Sequence, residues 1–303
     1  MQTTHTVLMI RPSAFRRNEE TAVNNFFQAE EVRTKRLSEL ALAEFDQYVE
    51  TLTHAGVRVI VLQDPGNFDT PDSIFPNNII SFHADRAIIY PMFAENRRRE
   101  RQLNYLGQLD QKGIRFEKIH DYTAFEEQKK FLESTGSMVL DRESKLAYCS
   151  ISERSNEEVL RVFCKDQGYR PIVFHAYQLV DETYLPVFHT NLVMSIGKTF
   201  AIACLDTIRN PEERLLVENT LQKSRKEIIP ISEKQMTSFA GNVLALKTVT
   251  GDPLICMSTQ AYESLQEQQI KRLKKHGKLI YNQLYSIERY GGGGARCMMA
   301  ELF

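Results

Sequence analysis

A repeat with a spacing of 51 to 59 residues constrains this chain more than any other feature of its sequence. Four stretches share one layout, in which a small polar residue precedes a short apolar strand, a turn and a second apolar strand. A fifth strand of the same kind is predicted at 296–303. The residues that lead these five stretches are Asn78, Ser137, Asn191, Asn242 and Arg296. Such regularity predicts one structural unit repeated five times.

Each predicted hairpin is followed by a helical pattern and then by one more apolar strand. The helices are predicted at 32–54, 94–112, 156–168, 211–223 and 260–276, the last ending at a Gly277 cap. The strands that follow them are predicted at 57–62, 114–119, 171–174, 228–231 and 279–281. The basic run at 97–101 is interpreted as the solvated face of the helix at 94–112.

The fifth unit needs a partner for its single hairpin strand, and Val7–Ile10 can supply it. Pairing the two ends closes a ring and leaves no exposed repeat interface. The predicted fold is therefore an α/β propeller of five ββαβ repeats about a pseudo-fivefold axis. No linker-like stretch divides the chain, so 1–303 is expected to form one domain. The alternative is an ordinary α/β domain whose hairpins coincide by chance.

Composition narrows the class of protein. The formal net charge is -1 and the calculated pI is about 6.7, so the chain lacks the basic footprint of a nucleic-acid binder. No stretch approaches the ~20 apolar residues that span a bilayer, and the apolar run at 7–10 is too short for a signal peptide. The five cysteines are widely spaced without a CxxC pair, which argues against a disulfide scaffold or a zinc site. A cytoplasmic protein without a cofactor or metal is expected.

Three reactive side chains occupy equivalent positions at the starts of repeats, where a ring brings them close to its axis. They are Cys297, His189 and Glu133, a set that suits a thiolate nucleophile, an acid/base and a carboxylate that orients it. Four glycines precede Cys297, as expected where backbone approaches a substrate closely. The alternative interpretation makes Cys297 and His189 ordinary core residues, as we interpret the other four cysteines.

These residues carry a resemblance to a known group of enzymes. The stretches Gly292–Met298, His189–Leu192 and Glu133–Ser137 resemble the guanidine-modifying enzymes of the pentein fold, which include arginine deiminases, dimethylarginine dimethylaminohydrolases and amidinotransferases. Further similarity points to a bacterial branch labelled amidinotransferase-like or citrulline-utilisation hydrolases. It rests on 9–15, Asn18, Thr21, Asn24, Asn25, Gln28 and Phe75–Asn78.

The resemblance implies roles for the three reactive residues. Cys297 would attack the central carbon of a guanidino or ureido group and form a covalent thiouronium-type intermediate. His189 would protonate the departing amine and later activate water, and Glu133 would orient His189 or grip the substrate. The thiol pKa is expected to fall beside a cationic substrate, with help from the glycine amides.

One departure from the family pattern bears on the substrate. The family commonly has carboxylates where this chain has Asn77, Asn78 and Ser137, and neutral side chains do not clamp a guanidinium through charge. We therefore hypothesise a less charged head such as a ureido group, or a cation that meets Glu133 and Asp72. Phe75 could stack on the planar head group or belong to the core.

Other activities remain open from the sequence. Water or an amine could accept the transferred group, which leaves amidinotransferase as an alternative to hydrolase. Penteins also include a non-catalytic ribosome-binding factor, and a papain-like hydrolase is a third option whose local motifs are absent. The expected partner is an arginine-, methylarginine- or citrulline-like small molecule, without nucleic acid or membrane; a homodimer is left open.

Overall fold

The computed structural model describes residues 1–29 and 35–303, without the side chain of Lys35. In these ranges the strands form five three-stranded sheets and one separate hairpin. Each sheet has a central strand that pairs antiparallel with the strand on one side and parallel with the strand on the other. The sheets repeat in chain order, so the predicted fivefold α/β pentein architecture is confirmed.

Four of the sheets come from consecutive segments. Their strands are Ile80–His83, Arg86–Ile89 and Lys118–Asp121; Val139–Asp141, Leu146–Ser150 and Arg170–Phe174; Met194–Ile196, Phe200–Ala203 and Glu227–Pro230; and Leu244–Lys247, Pro253–Ser258 and Lys278–Asn282. The connecting helices are Glu95–Arg98 and Tyr105–Gln111, then Glu157–Gln167, then Pro211–Lys223, and last Thr259–Ser264 and Glu267–Leu273.

The fifth sheet joins the two ends of the chain. Its strands are Ala300–Leu302, Thr6–Arg11 and Arg58–Gln63, and its helix is Lys35–His54. The register pairs Thr6 with Leu302 and Leu8 with Ala300. The predicted ring closure is therefore confirmed.

The helix Lys35–His54 packs one stripe of its surface on the ring. Leu37, Ala41, Phe45, Tyr48 and Leu52 are buried at spacings of three and four residues, as expected of an amphipathic helix. Leu40 of the same helix is 46% exposed because it lies on another face. Residues 32–34 of the predicted helix lie outside the described residues.

Local signals explain where the best predicted helices begin and end. The Asn156 side chain accepts hydrogen bonds from the amides of Glu158 and Val159, and Gly168 ends that helix in the left-handed conformation. Asn210 caps the next helix in the same way, and Pro211 occupies its first turn.

Two predicted helices are wrong as continuous elements. The 94–112 segment forms a short α-helix, a 3-10 helix over Arg99–Leu103 and a second α-helix, because Asn104 adopts a left-handed conformation (φ 50°) and caps the second helix. The 260–276 segment breaks at Leu265 into two helices, and the second ends at Leu273 rather than at Gly277.

The remaining elements are short. A hairpin of Tyr177–Val180 and Thr183–Pro186 was not predicted. Single helical turns precede three of the hairpins, so most lead residues lie before the strands instead of beginning them. The short α-helices are Glu19–Ala22, Ser134–Ser137, Thr190–Val193, Glu233–Thr237 and Tyr285–Gly291, and the other 3-10 helices are Pro76–Asn78, Thr123–Gln128 and Leu205–Thr207. In the described part of the chain, every helix is too short or too polar to cross a membrane.

Candidate active site

The ring brings Cys297 and His189 to the wall of one small cavity. The cavity has a volume of about 20 Å³, enough for about one water molecule. Both side chains are buried, with 4% and 2% of their surface exposed. The other lining residues include Asp72, Phe75, Asn78, Arg97, Arg154, Asn191 and Gly291–Gly293. The predicted convergence of the sulfur and the imidazole on one cavity is thus present in the structure.

Glu133 holds the imidazole of His189. Its Oε2 lies 2.7 Å from His189 Nε2, and both side chains are buried. Burial alone would raise the pKa of Glu133, but Arg154, His189 and Arg97 together hold that pKa at about 2. An ionised carboxylate only accepts hydrogen bonds, so Nε2 carries the proton and Nδ1 is left with a lone pair.

The electrostatics favour a neutral imidazole. Burial lowers the pKa of His189 to about 4; Glu133 acts in the opposite direction, and Arg154 and Arg97 lower the pKa further. Burial also raises the pKa of the Cys297 thiol, although the amides of Asn242 and Asn191 oppose this shift. The resting pair at neutral pH is therefore a thiol and a neutral imidazole. The expected fall of the thiol pKa beside a cationic substrate concerns the substrate-bound site, and it stays a prediction.

The sulfur of Cys297 is contacted by two side-chain amides, and a backbone hydrogen bond from Gly294 also acts to lower its pKa. Asn242 Nδ2 donates to it at 3.2 Å and Asn191 Nδ2 at 3.5 Å. Both asparagines lead hairpins in the repeat, which was the sequence signal that could have identified them. The glycine run also allows close packing, since a Cβ at Gly293 would lie 2.8 Å from the Phe75 ring.

Two buried arginines were missed by the sequence analysis. Arg97, interpreted as part of a solvated basic face, is only 2% exposed and pairs with Glu100 at 2.8 Å. It also donates to Asn78 Oδ1 at 2.7 Å, and its Nε lies 3.9 Å from Asp72. Arg154 lies 3.7 Å from Glu133 and over the ring of Phe188. Arg97 lies in the short helix Glu95–Arg98, and Asn96 and Arg97 are the buried residues of that helix.

The predicted substrate-binding residues divide into two groups. Asp72, Phe75 and Asn78 line the cavity. Asn77 instead hydrogen-bonds Thr135, and the Ser137 hydroxyl accepts from the Glu133 amide and donates to the Arg154 carbonyl. Asn77 and Ser137 are therefore not among the described residues that line the cavity. They hydrogen-bond residues that lie next to its wall.

The segment around Glu19–Ala22 forms one side of the site. Asn18 and Thr21 donate hydrogen bonds to Asp72 Oδ2, while Asp72 Oδ1 is buried without a partner among the described residues. Gln28 donates to the carbonyl of Gly291 at 3.1 Å. These are residues on which the sequence resemblance rested, and the structure shows that they shape the cavity.

A fivefold ring with this cavity at one end of its axis defines a pentein of the guanidine-modifying superfamily. Residues 11–303 match the family model described as N,N dimethylarginine dimethylhydrolase, eukaryotic. The chain belongs to this family.

Solved structures share the fold at low sequence identity. The N-terminal domain of ArgZ, a cyanobacterial arginine dihydrolase of the ornithine-ammonia cycle, was solved bound to substrate as a cysteine-to-serine variant. It has a TM-score of 0.74 and 15% identity, covering 98% of each chain. This chain spans 40% of the longer ArgZ chain, at 14% identity and a TM-score of 0.74. A dimethylarginine dimethylaminohydrolase variant, solved as an adduct with S-methyl-L-thiocitrulline, has a TM-score of 0.62 and 17% identity over 99% of this chain and 100% of that one. No curated protein matches this chain.

Proposed function

We propose that this protein is a cysteine-dependent hydrolase that breaks a C–N bond in the head group of an arginine-like amino acid, with a neutral ureido head preferred over a guanidinium. Family membership and the convergence of Cys297, His189 and Glu133 support the hydrolase part of the proposal. The preference for a neutral head is carried by one observation, the resident guanidinium of Arg97 beside Asp72.

Arg97 changes what the site can bind. Asp72 is the carboxylate on the cavity wall, and Arg97 already lies 3.9 Å from it. Glu133 is engaged by His189 and Arg154, so it is not free to pair with an arriving cation. A second guanidinium would meet two buried arginines with few free carboxylate oxygens, and burying it would be costly. A ureido group avoids this repulsion, and its N–H can donate to Asp72 Oδ1.

The proposed reaction begins with a proton transfer. His189 Nδ1 takes the proton of the Cys297 thiol as the sulfur bonds to the ureido carbon. The carbonyl oxygen gains negative charge, which the buried Arg97 and Arg154 favour. The imidazolium then protonates the departing nitrogen as the C–N bond breaks, leaving a thiocarbamate on Cys297. Neutral His189 next deprotonates a water that hydrolyses this intermediate and restores the thiol.

Turnover assays with citrulline, arginine and asymmetric dimethylarginine test the proposal. We expect the highest kcat/KM with citrulline, and a loss of at least about 1,000-fold in Cys297→Ala. The matched control is Cys256→Ala, which removes a buried cysteine away from the cavity. Clear preference for arginine or dimethylarginine would refute the neutral head, and full activity of Cys297→Ala would refute the cysteine mechanism.

A further inference from the structure

The ring has a second cavity at the opposite end of its axis. The first strand of each sheet starts near the candidate active site and runs away from it. The far ends of four such strands carry His83, Arg142, Lys247 and Phe303, and all four residues line one cavity. The pseudosymmetry brings the starts of these strands together at the candidate active site. It therefore also brings their far ends together at the second cavity. Of the residues that the structure describes, none lines both this cavity and the candidate active site.

The second cavity is strongly basic. Its volume of about 600 Å³ lies within the range of small-molecule sites, about 300–1,000 Å³. The described side chains that line it include one carboxylate, that of Asp85, and five cations. These are Arg58, Arg86, Arg142, Lys145 and Lys247. The whole chain has a net charge of -1, so positive charge is concentrated at this place rather than spread over the molecule.

Three of these cations have no carboxylate partner in the described part of the chain. Arg58 is exposed and has no ion pair within residues 1–29 and 35–303, Lys145 lies 4.7 Å from the centre of the Tyr169 ring, and Lys247 Nζ lies 3.2 Å from the Met1 sulfur. The other two are paired, since Arg86 meets Asp85 at 2.9 Å and Arg142 lies 3.7 Å from Glu301. Unpaired cations that share one concave wall can each donate to the same anion.

The pKa of His83 is lowered by the positive charges around it. Its Nδ1 lies 3.1 Å from Arg142 and its Nε2 lies 3.0 Å from the Ser81 hydroxyl. Burial lowers the pKa of His83 well below its ordinary value, and the charges of Arg142, Lys145 and Arg86 lower it further. The imidazole is therefore neutral and does not add to the charge, but its surroundings disfavour any additional cation.

We propose that this cavity binds a small multivalent anion that carries two or more linked phosphate groups. Linked phosphates supply several negative charges within a few ångströms, which matches several cations that line one cavity. A nucleic acid would instead require a basic stripe along an extended face. The site is separate from the proposed hydrolase chemistry.

Calorimetric titration with inorganic pyrophosphate and tripolyphosphate at constant ionic strength tests this site. We expect saturable binding with one ligand per chain, weakened at least tenfold in the double variant Arg58→Gln/Lys145→Asn. Asparagine is chosen because Lys145 has a φ of 54°, which asparagine tolerates. The matched control, Lys274→Gln/Lys275→Gln, also removes two positive charges but lies outside the cavity, and it should bind like the unaltered chain.

The same titration is run on Cys297→Ala, so that anion binding is measured in a variant without the candidate nucleophile. Saturable binding by Cys297→Ala supports the site even if the proposed hydrolase activity fails. Absence of saturable binding, or equal weakening in the cavity and control variants, would overturn the proposal. A parallel titration with adenosine triphosphate identifies the source of the phosphates, since tighter binding than tripolyphosphate would indicate a nucleotide.

Discussion

At the scale of single residues, burial sets the protonation of the candidate catalytic pair. Removal from water disfavours both the thiolate of Cys297 and the imidazolium of His189. The two residues therefore meet a substrate as neutral groups, and charge develops only when the sulfur attacks. This arrangement suits a neutral ureido head, which brings no positive charge to stabilise a preformed thiolate.

The low pKa of His189 makes stability depend on pH. Its folded value of about 4 lies below the ordinary value of 6.5, so the unfolded chain binds a proton between these limits that the folded chain does not. Stability should fall as pH is lowered from 6.5 towards 4. In His189→Gln, the slope between pH 4.5 and 6.5 should flatten by up to about 1.4 kcal/mol per pH unit.

Urea unfolding at several pH values measures this slope. The matched control is His54→Gln, because His54 is exposed at the end of its helix. Glu133 titrates lower, with a pKa of about 2, so its contribution lies below this window. An unchanged slope in His189→Gln would contradict the assignment of a neutral buried imidazole.

Arg97 and Glu100 form a buried pair that should be altered together. Arg97→Met alone leaves the Glu100 carboxyl buried without its partner, which should cost about 3–5 kcal/mol of stability. The double variant Arg97→Met/Glu100→Gln should recover part of that loss. Because it also releases Asp72 from Arg97, the ratio of kcat/KM for arginine to that for citrulline should rise about tenfold, or about 1.4 kcal/mol.

Denaturant unfolding and turnover of both substrates measure these two effects. A double variant that is stable yet has an unchanged substrate ratio would show that Arg97 does not set the preference. That outcome would leave the hydrolase assignment intact, because the substitutions do not touch Cys297 or His189.

At the scale of elements, sequence predicted those segments whose ends carry their own signals. The helix at 211–223 was placed correctly because Asn210 and Pro211 define its start. The segment at 94–112 was predicted wrongly as one helix, because the pattern of apolar and charged residues does not indicate the left-handed conformation of Asn104. Consequently Cys297, His189 and Glu133 were identified from the repeat, whereas Arg97 and Arg154 depend on tertiary contacts that no local pattern records.

The glycine loop before Cys297 offers a matched test of close packing. Gly292 has a φ of 64°, and an added Cβ would lie 2.4 Å from the Asn25 amide. Gly168 has a φ of 69°, and an added Cβ there would have no described atom within 4 Å. Alanine at either position should cost about 1–2 kcal/mol for the left-handed conformation. Gly292→Ala should cost about 1–3 kcal/mol more because Asn25 must move.

Thermal or urea unfolding of the two alanine variants measures the difference. Turnover should fall in Gly292→Ala and stay near normal in Gly168→Ala, which lies at the end of an outer helix. Equal stability losses in the two variants would show that Asn25 does not constrain the loop.

At the scale of the whole molecule, ring closure through Thr6–Arg11 and Ala300–Leu302 joins the ends of the chain. We propose that 1–303 is a single catalytic domain, and we expect fluorescence and circular dichroism to report one coincident unfolding transition. Two separated transitions would contradict this proposal. The repeat made the ring predictable from sequence, since its spacing reflects one unit of structure.

The most direct test of the account is to trap the reaction on Cys297. The chain is mixed with citrulline, quenched in acid during turnover, digested and mapped by mass spectrometry. We predict a substrate-derived covalent adduct on the peptide that contains Cys297, and no adduct on the peptides of Cys149, Cys164, Cys204 or Cys256. Steady turnover without an adduct at Cys297, or turnover that persists in Cys297→Ala, would contradict the account.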